Sequence, residues 1–319
     1  RYKKHIPLYF VKELAEAFRH LLIQSIGSPD TPMDDFPLLS GEKEEMILNA
    51  RPEIEKPENI YQSVIERFKE TVKKFPHHTA IIYENKRMDY TELYERMLCT
   101  ALWIQQEIAG KVDEGAPIGI LMDRTPESIV ALLGILASGH PYVPLDKTYP
   151  EKRIEFIMND CGIKQLIVND TLPNFNEPGH IQALCTLIEK NKLLKAGNCA
   201  DEVAYIIYTS GTTGTPKGIP IRHYQLLNLA DELIRIFSVT PDSRMIYFAS
   251  MSFDASVSEI FTALLSGAGL VIATEAERHD PELLLRLLEE KEITCAIIPP
   301  ALLAVLPHRS LPALETLAI

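Results

Sequence analysis

Between Tyr208 and Gly218 the chain reads YTSGTTGTPKG, so four threonines, one serine, one lysine and three glycines fall within eleven residues. Hydroxyl groups both donate and accept hydrogen bonds. Glycines let backbone amides approach a ligand closely, and lysine adds a mobile point charge. Together they suit a cradle for phosphate oxygens. The Walker pattern needs Gly, four residues, then Gly-Lys-Ser/Thr. Here Pro216 precedes Lys217, Gly218 follows it, and the next helix starts only after IPI, so this is a different phosphate loop. A flexible surface loop with a solvated Lys217 is the bland alternative. It fits poorly with a stretch that follows the apolar run VAYIIY without a spacer.

Asp254 is the second residue whose type invites chemistry. At the start of the helical stretch ASVSEIFTALL, an aspartate is a favoured cap. His140 and His223 also stand beside expected helix ends, with no Cys or His partner nearby, and read as packing or capping residues. The five cysteines (Cys99, Cys161, Cys185, Cys199 and Cys295) are scattered without a Cys-x-x-Cys pair. That speaks against a zinc site or a redox pair and fits a reducing cytoplasmic setting.

The 319 residues carry a formal net charge of −12. Such a field repels nucleic acid and anionic membranes, so a polyanionic ligand needs a local positive site. No apolar run reaches the ~18 residues of a membrane span, and the N-terminus lacks the features of a signal peptide. The chain opens on Arg and closes on LETLAI, which reads as the middle of a strand; an excerpt of something longer is expected.

Positioning these residues requires a sheet. Apolar residues at helical spacing predict a helix over 11–26, followed by a Pro-rich, acidic, extended linker anchored by Phe36, Leu38 and Leu39. Asn59 is the expected cap of a helix carrying Ile60, Val64, Phe68 and Val72. From Thr79 onward, apolar strands alternate with amphipathic helices, with a Pro-containing loop between Gly139 and Pro150. This predicts an α/β fold of mostly parallel sheets layered with helices. In such folds ligands bind beyond the carboxyl ends of strands, where YTSGTTGTPKG would lie.

The stretch VAYIIYTSGTTGTPKGIPI resembles the phosphate-loop motif of AMP-forming adenylating enzymes, and most closely the adenylation domains of nonribosomal peptide synthetases. MDYTELYERM, LASGHPYVPLDKTYPEKRI and FDASVSEIF are similar to further core motifs in the expected order. Departures fall at Asp89, where Thr or Ser is usual, and at Ser138 and His140. YFVKELAEAFRHLLIQSIGSPDTPMDDFPLLS resembles the closing helix of a condensation domain and its linker. The resemblance therefore implies residues 1–45 as the end of a condensation domain with its linker. Residues 46–319 would be the front part of an adenylation domain, that is, its large N-terminal subdomain, incomplete at the C-terminus.

What the resemblance implies for the site is specific. Thr209, Ser210, Gly211, Thr212, Thr213, Gly214 and Lys217 would hold the phosphates of ATP, with Lys217 and Thr209 closest to catalysis. Asp254 would pair with the α-ammonium of an amino acid, and Ala255, Ser258 and Ile297 would line its side-chain pocket. Two small walls lean towards a large or aromatic amino acid such as tyrosine. No residue of the chain is assigned to a metal; Mg²⁺ would arrive with ATP. The acyl group would pass to the phosphopantetheine of a partner carrier domain. The family's aromatic-Gly-Pro-Thr-Glu motif, its ribose-binding aspartate and its C-terminal lysine have no match here, so the chain alone is expected to be inactive. Two alternatives stand: a stand-alone acyl- or aryl-adenylate or acyl-CoA ligase, and a non-catalytic segment that docks neighbouring domains.

Overall fold

A computed structural model describes residues 8–32, 35–49, 63–108, 113–169, 171–172, 199–210 and 215–319. The backbone divides into two compact units, Arg1–Glu58 and Asn59–Ile319.

The smaller unit holds helices α1 (Leu8–Gly27) and α2 (Gly41–Asn49). Lys43 bridges the two helices, donating to Glu13 at 2.8 Å and to Glu16 at 2.6 Å. The expected extended linker therefore ends in a helix. Glu42 and Glu44 sit in its first turn, where acidic side chains suit the helix dipole. The amide of Lys43 points at the Ser40 hydroxyl.

The larger unit opens with α3 (Val64–Lys74). Its cap is Ser63, reciprocated by Glu66 in a capping box, and not the Asn59 suggested by sequence, which lies outside the described residues. A six-stranded sheet contains β1 (Thr79–Tyr83), β2 (Lys86–Asp89), β8 (Arg244–Tyr247), β9 (Gly269–Ile272), β10 (Cys295–Ile297) and β11 (Thr316–Ala318). Its order is β11-β10-β8-β9-β1-β2. A five-stranded sheet contains β3 (Ile118–Leu121), β4 (Tyr142–Pro144), β5 (Leu166–Val168), β6 (Val203–Ser210) and β7 (Pro216–Arg222), in the order β5-β3-β4-β6-β7. Within each sheet all neighbours are parallel except the edge pair, β1–β2 in one and β6–β7 in the other. The expected Pro-containing loop includes β4, the central strand of its sheet. Three residues are too few for a pattern, but all three are buried.

The connecting helices are α4 (Tyr90–Ile108), α5 (Pro126–Ala137), α6 (Glu151–Cys161), α7 (His223–Ile236), α8 (Asp254–Ser266), α9 (Glu275–His279), α10 (Pro281–Glu290) and α11 (Pro300–Leu303). In α5 every residue from Ser128 to Leu136 is buried, and in α8 every residue from Glu259 to Leu265. Helices enclosed all round belong inside a core. Ile81, Tyr247, Leu270, Ile118, Tyr142 and Tyr205, drawn from both sheets, join them in one apolar cluster. Alternate strand residues face the other way. Ile82, Ile246 and Val271 pack with Leu284 and Leu288 of α10, while Val143 and Tyr208 pack with Ile157 of α6. The central strands thus have an inner face between the sheets and an outer face under a helix.

Candidate active site

Tyr205 and Ile207 lie on the inner face of β6. Alternation puts Thr209 on that face as well, and the register places Lys217 of β7 directly across from Thr209. Both are exposed. Half of the segment 209–218, expected as a loop, is therefore strand: Thr209 and Ser210 end β6, and Pro216, Lys217 and Gly218 begin β7. Five residues, 211–215, separate Ser210 from Pro216. Gly211, Thr212, Thr213 and Gly214 lie outside the described residues. Two prolines and a glycine hide the return strand in the sequence. Prolines are tolerated in β7 because it is an edge strand.

Gly218 has a steric reason. It pairs with Tyr208, and a Cβ at Gly218 would stand 2.8 Å from the Tyr208 ring. The Tyr208 hydroxyl donates to Asp160 of α6 at 2.7 Å. Burial and this acidic partner hold its phenol well above the usual range. The stem of the hairpin is thus fixed from its outer face, leaving the inner face to Thr209 and Lys217.

Asp254 is the first residue of α8, exposed, with its carboxylate accepting from the Ala255 amide at 2.9 Å. The cap position belongs to Phe253. Ser258 follows Asp254 by one turn, which puts both on one side of the helix; Ala255 is adjacent, and Ala255 and Ser258 are half-buried. Ile297, half-buried, ends β10 and packs on the inner cluster. Tyr205 stacks on Tyr142 at 5.5 Å between ring centroids. Its phenol is pushed up to about 12, first by burial and then by the negative charge of Asp254. The carboxyl ends of β6 and β10 and the start of α8 thus bring the described site residues to one side of the two sheets.

Several contributors escaped sequence reading. Ser250, after β8, donates to Asp146, after β4, at 2.6 Å and so ties the two sheets at their carboxyl ends. Arg124 and Arg278 both donate to the Phe248 carbonyl, at 2.8 and 2.7 Å. Glu259 is fully buried and accepts from the amides of Phe248 and Ala249 at 3.1 and 3.0 Å. Burial raises its carboxyl to about 8, against the pull of those amides and of the two arginines. A signal existed: Glu259 is the only charged residue of α8 after Asp254.

The two histidines have protein partners. His140 Nδ1 donates to the Ala116 carbonyl at 2.8 Å. His223 Nδ1 accepts from the Val64 amide at 3.3 Å, and burial lowers its pKa to about 4. Among the described residues no three His, Cys, Asp or Glu side chains converge as a metal site. No helix among them is long and apolar enough to cross a membrane.

A family model described as AMP-binding enzyme matches residues 68–317. Tyrocidine synthase 2 of Brevibacillus parabrevis is 30% identical over 311 residues, covering 96% of this chain and 9% of that protein. Tyrocidine synthase 1 of the same organism is 36% identical over 260 residues, covering 78% of this chain and 23% of that protein. The chain thus spans a small part of the curated relatives it matches. Among solved structures, the nonribosomal peptide synthetase FmoA3 shares the fold at a TM-score of 0.74 and 23% identity, covering 95% of this chain and 33% of that one. The N-terminal subdomain of Klebsiella oxytoca NpsA, in complex with 3-hydroxyanthranilyl-AMSN, aligns at 0.60 and 27% identity, over 74% of this chain and 59% of that one.

Proposed function

The chain belongs to the AMP-binding enzyme family, and on that premise we propose that its parent protein activates an α-amino acid with ATP. The amino-acid carboxylate attacks the α-phosphate, forming an aminoacyl adenylate and releasing pyrophosphate. The acyl group then passes to the phosphopantetheine thiol of a carrier domain. The observation that supports this reading is that Thr209 and Lys217 stand at the carboxyl end of β6 and Asp254 begins the helix that follows β8, while the Ser250–Asp146 hydrogen bond ties the carboxyl ends of the two sheets together.

In this reading the tip of the β6–β7 hairpin holds the β- and γ-phosphates. Thr209, Ser210, Gly211, Thr212, Thr213 and Gly214 supply hydroxyls and amides, and Lys217 supplies positive charge to the leaving pyrophosphate. Catalysis is then mainly positioning and charge stabilisation. Mg²⁺ would arrive with ATP as its counter-ion. Asp254 selects for an α-ammonium, since a substrate lacking it leaves a carboxylate unpaired. Ala255, Ser258 and Ile297 shape the side-chain pocket, whose small walls favour a large or aromatic residue. Residues 1–45 are assigned to the end of a condensation domain and its linker, and residues 46–319 to the adenylation domain. The structural units instead part between Glu58 and Asn59, and α2 runs across residue 45. The scattered cysteines, none in a disulfide among the described residues, support a cytoplasmic setting.

An aryl-acid substrate is the second reading, favoured by the aryl-AMSN ligand named for NpsA. Pyrophosphate–ATP exchange by the intact parent protein, run with a panel of amino acids and aryl acids, tests both. Exchange with an amino acid but not with its des-amino analogue is expected. Exchange with aryl acids alone would replace the amino-acid reading.

A further inference from the structure

Six residues, 248–253, lead from the end of β8 to Asp254 at the start of α8. Side chains from four separate parts of the chain grip this segment. Glu259 of α8 takes the amides of Phe248 and Ala249 on a single carboxylate oxygen, at 3.1 and 3.0 Å. Arg124, between β3 and α5, and Arg278 of α9 both donate to the Phe248 carbonyl, at 2.8 and 2.7 Å. Asp146 takes the Ser250 hydroxyl at 2.6 Å. Arg124 also lies over the Tyr247 ring and Arg278 over the Phe248 ring, at 5.3 and 5.4 Å to the centroids.

Glu259 differs from the other three because it closes a ring. The chain leaves β8, turns through 248–253, enters α8 at Asp254 and returns to the exit of β8 through the Glu259 carboxylate. Glu259 lies five positions after Asp254, which at ~100° per residue puts them on different sides of the helix. One is exposed and the other is 0% exposed. The second oxygen of Glu259 is buried with no hydrogen-bond partner among the described residues. Enclosure without a partner disfavours the charged form, and in either protonation state the other oxygen can accept both amides. An enclosed group cannot touch a substrate.

We propose that Glu259 is a positioning residue for substrate recognition: its carboxylate staples the exit of β8 to the second turn of α8 and fixes where Asp254, Ala255 and Ser258 face the substrate. This rests on the reading of Asp254 as the ammonium partner. Glutamine can keep the acceptor and the shape. Alanine leaves two enclosed amides without it and frees α8 to shift, and a displacement of about 1 Å costs on the order of 10²-fold in a positioned reaction.

The test uses the intact parent protein and pyrophosphate–ATP exchange, with KM measured separately for the amino acid and for ATP. Glu259→Ala should raise the amino-acid KM by about 10- to 100-fold and leave the KM for ATP within about twofold. Its preference for the amino acid over the des-amino analogue should shrink. Glu259→Gln should restore the amino-acid KM to within about threefold of wild type. If the alanine variant does not fold, Glu259→Asp, whose shorter stem cannot hold both amides, carries the same prediction. Equal increases in both KM values, a fall in kcat alone, or a glutamine variant as impaired as alanine would overturn the proposal. Wild-type exchange with an insensitive Glu259→Ala overturns the inference alone. An Asp254→Asn protein with an unchanged amino-acid KM overturns the underlying reading and the inference with it.

Discussion

The β1–β2 and β6–β7 hairpins each add one antiparallel strand to the edge of an otherwise parallel sheet, and each turns at the carboxyl end of that sheet. Their tips differ. The first closes in two residues, Glu84 and Asn85, between the paired Tyr83 and Lys86. Glu84 sits at a φ of 52°, and Lys291 donates to its carbonyl at 2.7 Å. The second leaves five residues between the paired Ser210 and Pro216, and they include two glycines and three threonines. The same topological device thus ends once as a sealed turn and once as a run of amides and hydroxyls. Tip length and composition, more than the fold, separate a structural edge from a candidate phosphate site.

Matching lysines give the strongest test of that contrast. Lys217→Ala should lower pyrophosphate–ATP exchange of the intact protein about 10²-fold or more, the usual cost of losing one preorganised electrostatic partner. Lys86→Ala, at the start of the other return strand, should stay within about twofold in the same assay. Similar losses at both would erase the distinction. Next in size, Gly218→Ala forces a methyl group onto the Tyr208 ring, 2.8 Å away. A cost of about 1–3 kcal/mol is expected from such overpacking, read as a lower melting temperature or denaturant midpoint.

The strap beneath Asp254 yields a pH prediction. Burial raises the folded-state carboxyl of Glu259 to about 8 from its ordinary value of 4.5. Between those values the folded protein holds a proton that the unfolded chain releases, so stability falls as pH rises. One such group contributes a slope of at most about 1.4 kcal/mol per pH unit. Glu259→Gln should remove it, so wild type loses more melting temperature than the variant between about pH 5 and about pH 8. Parallel curves would show that Glu259 does not titrate there. The smallest effect is expected at the sealed turn. Glu84→Gly should change stability by less than about 1 kcal/mol, since relief of a left-handed residue is offset by backbone entropy, and exchange should not change.

The two hairpins also show what was legible in the sequence. TAIIY is an apolar run followed by the polar residues Glu84, Asn85 and Lys86, so the first hairpin is legible as a strand and a turn. The second was half legible, because VAYIIY reads as a strand whereas PKGIPIR does not. Proline and glycine depress strand propensity, and in β7 the edge position, a tertiary fact, makes them acceptable. β4 was hidden for a different reason: three buried residues between Pro141 and Leu145 carry no period. The phosphate-binding residue types and Asp254 were visible because chemistry is written in residue identity. The grip on 248–253 was not, because Arg124, Asp146, Glu259 and Arg278 are far apart in sequence and meet only through the packing of the two sheets.

In the proposed function the tip of β6–β7 holds the triphosphate and the start of α8 holds the amino acid. Crystals of the intact parent protein, soaked with a nonhydrolysable ATP analogue and the amino acid that supports exchange, test it most directly. The β- and γ-phosphates should lie against residues 209–217, with Lys217 within hydrogen-bonding reach and the α-ammonium on Asp254. A triphosphate bound elsewhere, or an amino group turned away from Asp254, would contradict it.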